Sequence, residues 1–188
     1  MADWTPWKPI DLHGWNLDGI VLPDRNGNVS VGTYDAFFPH SESDVAALIY
    51  GIGEVRLSVE VGRLAVFRHK ENPVVILTPK FKCLVADDTV QWSWDGNILF
   101  VKAYFVSYPF AVIDLDRHLF SFISAATDLS AHEIRQEDDR TFTLVDYING
   151  LRPYRRDVRL IKLDEMKWFG LDRLDDSTAI SEAFSSSL

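Results

Sequence analysis

The chain has 188 residues, of which 47% are hydrophobic and 25% charged, with a formal net charge of −9 and one cysteine. This length and ordinary globular composition predict a single domain, residues 1–188, whose core needs no disulfide staples. An internal disulfide is excluded, and so is a membrane span, since no run approaches the ~18 apolar residues that a span requires. Because the first residues carry no signal-peptide pattern, we expect a cytoplasmic protein.

The negative charge is unevenly distributed along the sequence. Residues 1–53 carry seven acidic and two basic residues, whereas residues 54–135 carry ten and nine. An acidic field repels nucleic acid and anionic lipid and attracts basic partners. We therefore expect a basic protein as partner, and neither nucleic acid nor a membrane. Tryptophan is also enriched at protein interfaces. The residues predicted to contact the partner are Trp4, Trp7, Asp11, Asp18, Asp35, Glu42 and Asp44.

A hairpin is the first predicted element. Residues 15–22 are rich in apolar side chains, and residues 29–34 alternate in the manner of a strand. Between them stands the dipeptide Asn26-Gly27, the strongest short signal for a hairpin turn, because both residues tolerate positive φ.

A short helix is predicted over residues 43–51. Ser43 can cap its first turn, Asp44 suits the positive end of its dipole, and Gly51 can close it in a left-handed conformation. Only about two turns fit this segment, so packing must hold the helix in place.

Strand patterns dominate after residue 53. Residues 55–61 alternate strictly between apolar and polar, which predicts one half-buried strand that Gly62 ends. Residues 64–68 predict its return strand. Residues 74–78 form a continuous apolar run between two prolines, a pattern typical of a strand that is buried on both faces.

Two further hairpins are predicted, with turns at residues 95–97 and 116–118. Their strands cover residues 91–94 and 98–105 in the first, and 110–114 and 119–124 in the second. More strands are predicted over residues 141–145 and 158–163, and a weak helix within a weakly ordered tail at residues 172–188.

These elements predict a mainly β fold, with α+β as the alternative. Eight or more short strands in succession, with one or two short helices, favour an antiparallel meander or a sandwich-like sheet.

One short motif resembles a catalytic site. Asp114-Leu115-Asp116 follows an apolar strand and resembles the motif of haloacid-dehalogenase-type phosphotransferases, and also the acidic metal site of some glycosyltransferases. The resemblance implies roles for Asp114 and Asp116, and His118 departs from the family's motif by standing where Thr or Val is expected. The competing interpretation is a hairpin turn, where aspartate is favoured for its local hydrogen bonds. The absence of a following helix favours the turn.

Other chemistries have weaker support in the sequence. The five histidines form no zinc-binding spacing, the glycines form no phosphate-binding loop, and Cys83 lies in an apolar stretch. We therefore expect no metal and no cofactor. Four arginines within residues 152–159 can bind phosphates, but acidic neighbours in the sequence favour pairing within the chain.

The function that these observations favour is non-enzymatic protein binding. Bacterial toxin-neutralising (immunity) proteins are similar in general type, since they are often small, acidic and able to block a basic toxin surface. An enzyme using Asp114, Asp116 and His118 is one alternative. A carbohydrate or small-ligand binder that presents Trp92 and Trp94 as an aromatic platform is the other.

Overall fold

The computed structural model describes residues 12–24, 27–31, 35–56, 59–85, 89–104, 110–123, 131–148 and 155–185. The fold is mainly β, as predicted, with antiparallel sheets and one short α-helix. The chain divides into two compact units, residues 1–85 and 86–188. The prediction of a single domain over the whole chain stays a prediction.

Among its described residues, the first unit contains seven strands. They are β1 (Val21–Asp24), β2 (Gly27–Ser30), β3 (Ala36–Pro39), β4 (Val45–Arg56), β5 (Val59–Arg68), β6 (Val74–Leu77) and β7 (Lys82–Leu84). β1 and β2 form the predicted hairpin, and β3, β4, β5 and β6 form a meander in that order, with β7 also pairing with β5. The hairpin prediction was wrong in one respect, because residues 15–20 form turns before β1 rather than a strand.

The predicted helix over residues 43–51 was wrong, since this segment forms β4. Residues 45–50 are all buried in the middle of the sheet, so the segment has no polar face of the kind that a surface helix needs. Gly51 does adopt a positive φ of 60°, but it lies at a register shift between Tyr50 and Gly53. Its left-handed conformation therefore serves a β-bulge rather than a helix end.

The period-two run over residues 55–61 belongs to two strands, not one. β4 ends at Arg56 and β5 begins at Val59, with these two residues paired across the hairpin. Gly62 does not end the strand but lies inside β5, where a side chain would collide with Ile49. Val55 before the turn is 42% exposed and Val61 after it is buried, so the alternation does not follow one buried face, and the pattern alone conceals the hairpin.

β6 is also less buried than the sequence predicts. Val74 and Ile76 are 49% and 40% exposed, so the apolar run is not covered on both faces. β6 is four residues long and is an edge strand of the first unit's sheet. Short edge strands flanked by proline are a common way to limit unwanted pairing.

One buried cluster of the first unit lies on one face of the β4–β5 hairpin. Leu48, Tyr50 and Phe67 pack there against Trp15 and Leu17, which lie in the segment before β1. The Tyr50 hydroxyl donates a 2.7 Å hydrogen bond to the Pro23 carbonyl at the end of β1. This segment thus crosses the sheet and closes the apolar face from water.

In the part that the structure describes, the second unit contains eight strands and α1 (Ser177–Ser185). The strands are β8 (Val90–Trp92), β9 (Ile98–Lys102), β10 (Phe110–Asp114), β11 (Leu119–Ile123), β12 (Ala131–Asp138), β13 (Thr141–Ile148), β14 (Arg155–Lys162) and β15 (Phe169–Gly170). A five-stranded sheet has the order β15-β11-β10-β9-β8, and a three-stranded sheet has the order β12-β13-β14. The predicted hairpins β8–β9 and β10–β11 and the C-terminal helix are confirmed, whereas β3, β12 and β15 were not predicted.

The two sheets of the second unit pack face to face. Phe100 and Phe110 from the five-stranded sheet share a buried cluster with Phe142 and Ile161 from the three-stranded sheet. The rings of Phe100 and Phe142 have centroids 4.8 Å apart. Each such aromatic side chain contributes roughly 1.5–3 kcal/mol through burial, so this contact holds both sheets in a fixed position.

Candidate functional site

The residues of the alternative catalytic site lie at the end of β10 and in the loop before β11. Asp114 is 2% exposed, and its Oδ1 accepts a 2.9 Å hydrogen bond from the backbone N–H of Arg117. Its Oδ2 lies 3.8 Å from the Arg117 guanidinium. Asp116 is exposed. The carboxylate of Asp114 therefore shapes the turn, as the competing interpretation of the motif expects.

His118 ends the same loop in a left-handed conformation, with φ of 55°. Its carbonyl accepts a 2.9 Å hydrogen bond from the backbone N–H of Leu171. A residue other than glycine adopts positive φ mainly where a turn demands it. These contacts give His118 a structural role, and its catalytic role stays a prediction.

Cys83 is fully buried in β7. Burial raises the pKa of its thiol far above the ordinary value, which suppresses the thiolate that a nucleophile or metal ligand needs. Within the described ranges, no group of three or more His, Cys, Asp and Glu side chains is arranged to hold a metal ion.

The predicted partner-binding residues are only partly described. Trp4, Trp7 and Asp11 lie outside the described residues. Asp18 is exposed in the segment before β1, where its backbone N–H donates to the Asn16 side chain at 3.2 Å. Its carboxylate is thus presented to solvent beside the strand hairpin.

Glu42 and Asp44 share the loop between β3 and β4, where both are exposed. Asp44 Oδ1 accepts a 2.5 Å hydrogen bond from the backbone N–H of Lys70, and its Oδ2 lies 3.5 Å from His69 Nδ1. His40 Nδ1 accepts the backbone N–H of Glu42 at 3.1 Å. Asp44 therefore joins two loops at this end of the sheet.

Asp35 lies at the other end of the β3–β4 hairpin, where its Oδ1 accepts the Gly51 N–H at 3.2 Å. The ladder between the two strands runs from Ala36 opposite Ile49 to Pro39 opposite Ala46. Asp35 and Asp44 are thus separated by the length of the hairpin. The structure brings Glu42 and Asp44 together but does not join Asp35 to them.

Hydrogen bonds hold the β8–β9 turn, which carries an exposed aromatic ring. Asp95 Oδ1 accepts hydrogen bonds from the Ser93 hydroxyl at 2.6 Å and the Asn97 N–H at 3.0 Å. Ser93 Oγ in turn accepts the Ile98 N–H at 2.8 Å. Burial alone would raise the pKa of Asp95, but these hydrogen bonds from Ser93 and Asn97 outweigh it and lower the pKa. The turn is therefore rigid and carries an ionised carboxylate.

Trp94 stands in this turn and is 63% exposed. Its backbone N–H donates a 2.6 Å hydrogen bond to Gln136 Oε1 on β12, so its main chain is held while its ring faces solvent. Trp92 is only half-buried and ends β8, whereas Trp94 lies beyond the strand. The two rings therefore do not share a strand face, contrary to the expected platform.

Hydrogen bonds lead from the anchor point of Trp94 to an acidic turn between β12 and β13. Gln136 Nε2 donates to the Asp138 carbonyl at 3.1 Å, and Asp138 Oδ1 accepts the Arg140 N–H at 2.9 Å. This hydrogen bond from Arg140 lowers the pKa of Asp138, which keeps it ionised. Arg140 and Asp164 form a 2.5 Å ion pair. These bonds connect the β8–β9 turn, the β12–β13 turn and the segment after β14.

We name this region the Trp94 surface. It comprises Trp94 and the exposed acidic residues Asp95, Glu137, Asp138, Asp139, Asp164 and Glu165. Two basic residues form ion pairs with this surface, Arg140 with Asp164 and Lys162 with Glu165. Six carboxylates and two cations give the region a formal net charge of −4.

Sequence reasoning found parts of this surface but not the whole. Trp94 was predicted as half of a ligand platform, and the acidic residues near 138 and 164 as partners of the arginines in 152–159. The side chain that joins them is Gln136, which is 42 residues from Trp94 in sequence. No local pattern signals that contact, because β12 itself was not predicted.

In comparisons with known proteins, no family model matches the chain and no curated protein sequence matches it. Across the part of the chain that the structure describes, no helix is long and apolar enough to cross a membrane.

Proposed function

We propose that this chain is a non-enzymatic protein-binding module that blocks a basic surface of another protein. Trp94 carries the proposal, because its ring is 63% exposed on a turn that is hydrogen-bonded on both sides. A large aromatic ring held in place contributes contact area to an interface at little cost in conformational entropy.

The charge of the Trp94 surface supports a basic partner. Carboxylates around an aromatic anchor attract cationic side chains, accelerate encounter and disfavour acidic competitors. The carboxylates with lowered pKa, Asp95 and Asp138, stay ionised well below neutral pH. This arrangement supports the Trp94 surface, which belongs to the second unit, as the contact surface. The partner contacts expected of the N-terminal acidic residues stay a separate prediction.

The proposal extends to the class of bacterial toxin-neutralising proteins. A protein of this class that acts in the cytoplasm would keep a lone thiol such as Cys83 reduced. Under this hypothesis, a neighbouring reading frame encodes a basic toxin, and co-expression of this chain restores growth to cells that produce the toxin. Growth that stays arrested despite complex formation would exclude neutralisation while leaving protein binding intact.

The test is partner capture with a matched pair of variants. The wild-type chain is immobilised, the stoichiometric partner is recovered from the native host, and its affinity is measured by calorimetry. Trp94→Ala should weaken binding about 30-fold, since truncating a hot-spot tryptophan costs about 2 kcal/mol. Val21→Ala removes a 55% exposed side chain in the first unit and should leave the affinity unchanged.

Two results would contradict the proposal. One is the absence of any stoichiometric protein partner from the host extract. The other is a partner that binds Trp94→Ala as tightly as wild type, with circular dichroism showing both proteins folded. The fold is expected to survive this change, because the turn is held by the backbone of Trp94 and not by its ring.

Carbohydrate binding is the second candidate, and the same exposed ring favours it. Sugars stack their apolar faces on exposed aromatic side chains, and such a contact changes tryptophan fluorescence. A panel of mono- and oligosaccharides should therefore quench wild-type fluorescence but not that of Trp94→Phe. Unchanged fluorescence with every sugar of the panel at millimolar concentration would exclude carbohydrate binding.

A further inference from the structure

Two glutamine side chains join the two sheets of the second unit at their edges. β8 is an edge strand of the five-stranded sheet, and β12 is an edge strand of the three-stranded sheet. The Gln91 side chain on β8 accepts a 2.7 Å hydrogen bond from the Ile134 N–H on β12. In the opposite direction, the Gln136 side chain on β12 accepts a 2.6 Å hydrogen bond from the Trp94 N–H. Among the described residues, no backbone pairing connects β8 with β12, so these side chains form the link.

Both ends of the Gln136 amide are bonded. Its Oε1 accepts the Trp94 N–H, and its Nε2 donates to the Asp138 carbonyl at 3.1 Å. This one side chain therefore fixes the turn that carries Trp94 relative to the turn that carries Asp138. Glutamine supplies an acceptor and a donor at this position, whereas the carboxylate of glutamate supplies only acceptors.

The place of Gln136 in β12 explains how its side chain reaches the β8–β9 turn. β12 pairs with β13 in a regular register as far as Gln136, and the register shifts between Gln136 and Asp138. A β-bulge bends its strand and redirects nearby side chains. Gln136 is also half-buried, which shields its hydrogen bonds from competing water. The bulge and the contact with Trp94 therefore belong to one local arrangement.

The β8–β9 turn gains its position against β12 from this contact. The hydrogen bonds of Ser93 and Asp95 lie within the turn, so they fix its shape. The bond from Trp94 to Gln136 ties the turn to the other sheet. A fixed main chain sets the direction of the Cα–Cβ bond, which leaves the exposed indole ring only its two side-chain torsions.

We propose that Gln136 is a positioning residue that holds the Trp94 turn and the Asp138 turn in one arrangement before a partner binds. The inference rests on the proposed function, in which Trp94 anchors the partner. A surface that is ordered in advance loses less conformational entropy on binding. Gln136 thus raises the affinity for the partner by acting through Trp94.

The free chain tests the positioning. Gln136→Met keeps the length of the side chain and replaces its amide with a thioether, a weak acceptor. The Trp94 amide should then exchange with deuterium about tenfold faster, because exchange requires its hydrogen bond to open. Its ¹⁵N order parameter should fall from about 0.85 towards 0.6. Gln136→Glu retains an oxygen that can accept the Trp94 N–H, so it should restore slow exchange.

Gln91→Met is the matched control, since it makes the same substitution at the other link between the sheets. It should accelerate exchange of the Ile134 amide and leave the Trp94 amide as slow as in the wild type. This contrast separates positioning by Gln136 from a general loosening of the two sheets. Thermal unfolding by circular dichroism verifies that both methionine variants are folded at the temperature of the exchange measurement.

The captured partner tests whether this positioning contributes to binding. Gln136→Met should weaken binding roughly 3- to 10-fold, the equivalent of about one hydrogen bond. In a chain that already carries Trp94→Ala, the same change should have little further effect. A residue that acts through Trp94 has no ring left to position in that variant, so the two losses should not multiply.

Three results would overturn the inference. The first is a Trp94 amide that exchanges as slowly in Gln136→Met as in the wild type. The second is an equal loss of its protection in Gln91→Met. The third is a double variant in which the two losses of affinity multiply in full. Failure of the proposed function has a different signature, namely no partner or unchanged binding by Trp94→Ala, and the exchange measurements on the free chain then still decide whether Gln136 positions the turn.

Discussion

At the residue scale, the buried hydroxyl of Tyr50 has a specific partner. Tyr50 is 1% exposed, and its hydroxyl has its acceptor in the Pro23 carbonyl, 2.7 Å away. Burial raises the pKa of Tyr50, and the nearby Arg63 only partly opposes this effect. The neutral hydroxyl therefore stabilises the folded state of the first unit.

Tyr50→Phe should lower the free energy of unfolding by about 1 kcal/mol at pH 7, the usual worth of one hydrogen bond. Because the pKa is raised on folding, this stabilisation is complete below the unfolded value near 10 and is lost as pH rises through the folded value. Urea unfolding of both proteins from pH 7 to 12 should show the difference shrinking above pH 10. A difference that stays constant to pH 12 would contradict it.

The residues other than glycine that have a left-handed backbone conformation are a second feature at this scale. Among the described residues, His13, His69 and His118 have positive φ. Of these, His118 was considered for chemistry from the sequence, and its backbone places it at a turn. Sequence offers no direct signal for this, since histidine is several-fold enriched in the left-handed region but still adopts it rarely.

At the element scale, Gly62 shows how close packing limits which residue a position in a strand can hold. A Cβ at Gly62 would collide with the Ile49 side chain and lie 2.9 Å from the Tyr50 carbonyl. Gly62→Ala should therefore cost about 1–3 kcal/mol, the range for overpacking a dense core. Gly53→Ala is the matched control, since nothing lies within 4 Å of its Cβ position and it occupies the same hairpin.

Thermal unfolding of the two alanine variants checks this prediction. Gly62→Ala should melt several degrees below wild type, while Gly53→Ala should melt within a degree or two of it. Equal melting temperatures for both variants would mean that β4 relaxes enough to admit the methyl group. The close approach of Gly62 to Ile49 would then not lower the stability of the alanine variant.

The elements that sequence predicted well are those with a local turn signal. Asn26-Gly27 and Asp95-Gly96-Asn97 mark hairpins that the structure contains. Residues 43–51 failed because their cap-like residues serve a loop and a bulge, and because an apolar run of this length fits a buried strand as well as a helix. β12 was missed because its exposed charged residues hide any apolar alternation.

At the scale of the whole molecule, acidity alone did not locate a site. The sequence concentrates negative charge in residues 1–53, yet Asp35 and Asp44 there bond to backbone N–H groups at opposite ends of one hairpin. The Trp94 surface gathers its carboxylates from three separate turns, so its charge density depends on tertiary contacts. Neither composition nor spacing along the chain reveals such a cluster.

A pair of charge reversals separates the two acidic regions. Asp139→Lys and Asp18→Lys each change the net charge by the same amount at an exposed position, one on the Trp94 surface and one near the N-terminus. If a basic partner docks at the Trp94 surface, only Asp139→Lys should slow association, by roughly 3- to 10-fold at low salt, because rim charges act mainly on the association rate.

Surface plasmon resonance at 20 and 500 mM salt checks this difference with the captured partner. The effect of Asp139→Lys should shrink at high salt, where the Debye length falls to a few ångströms and steering is screened. Slower association for Asp18→Lys instead would move the contact to the N-terminal third, where the sequence alone placed it. Equal slowing by both would mean that the partner responds to net charge, and the aromatic anchor would then be the only localised part of the interface.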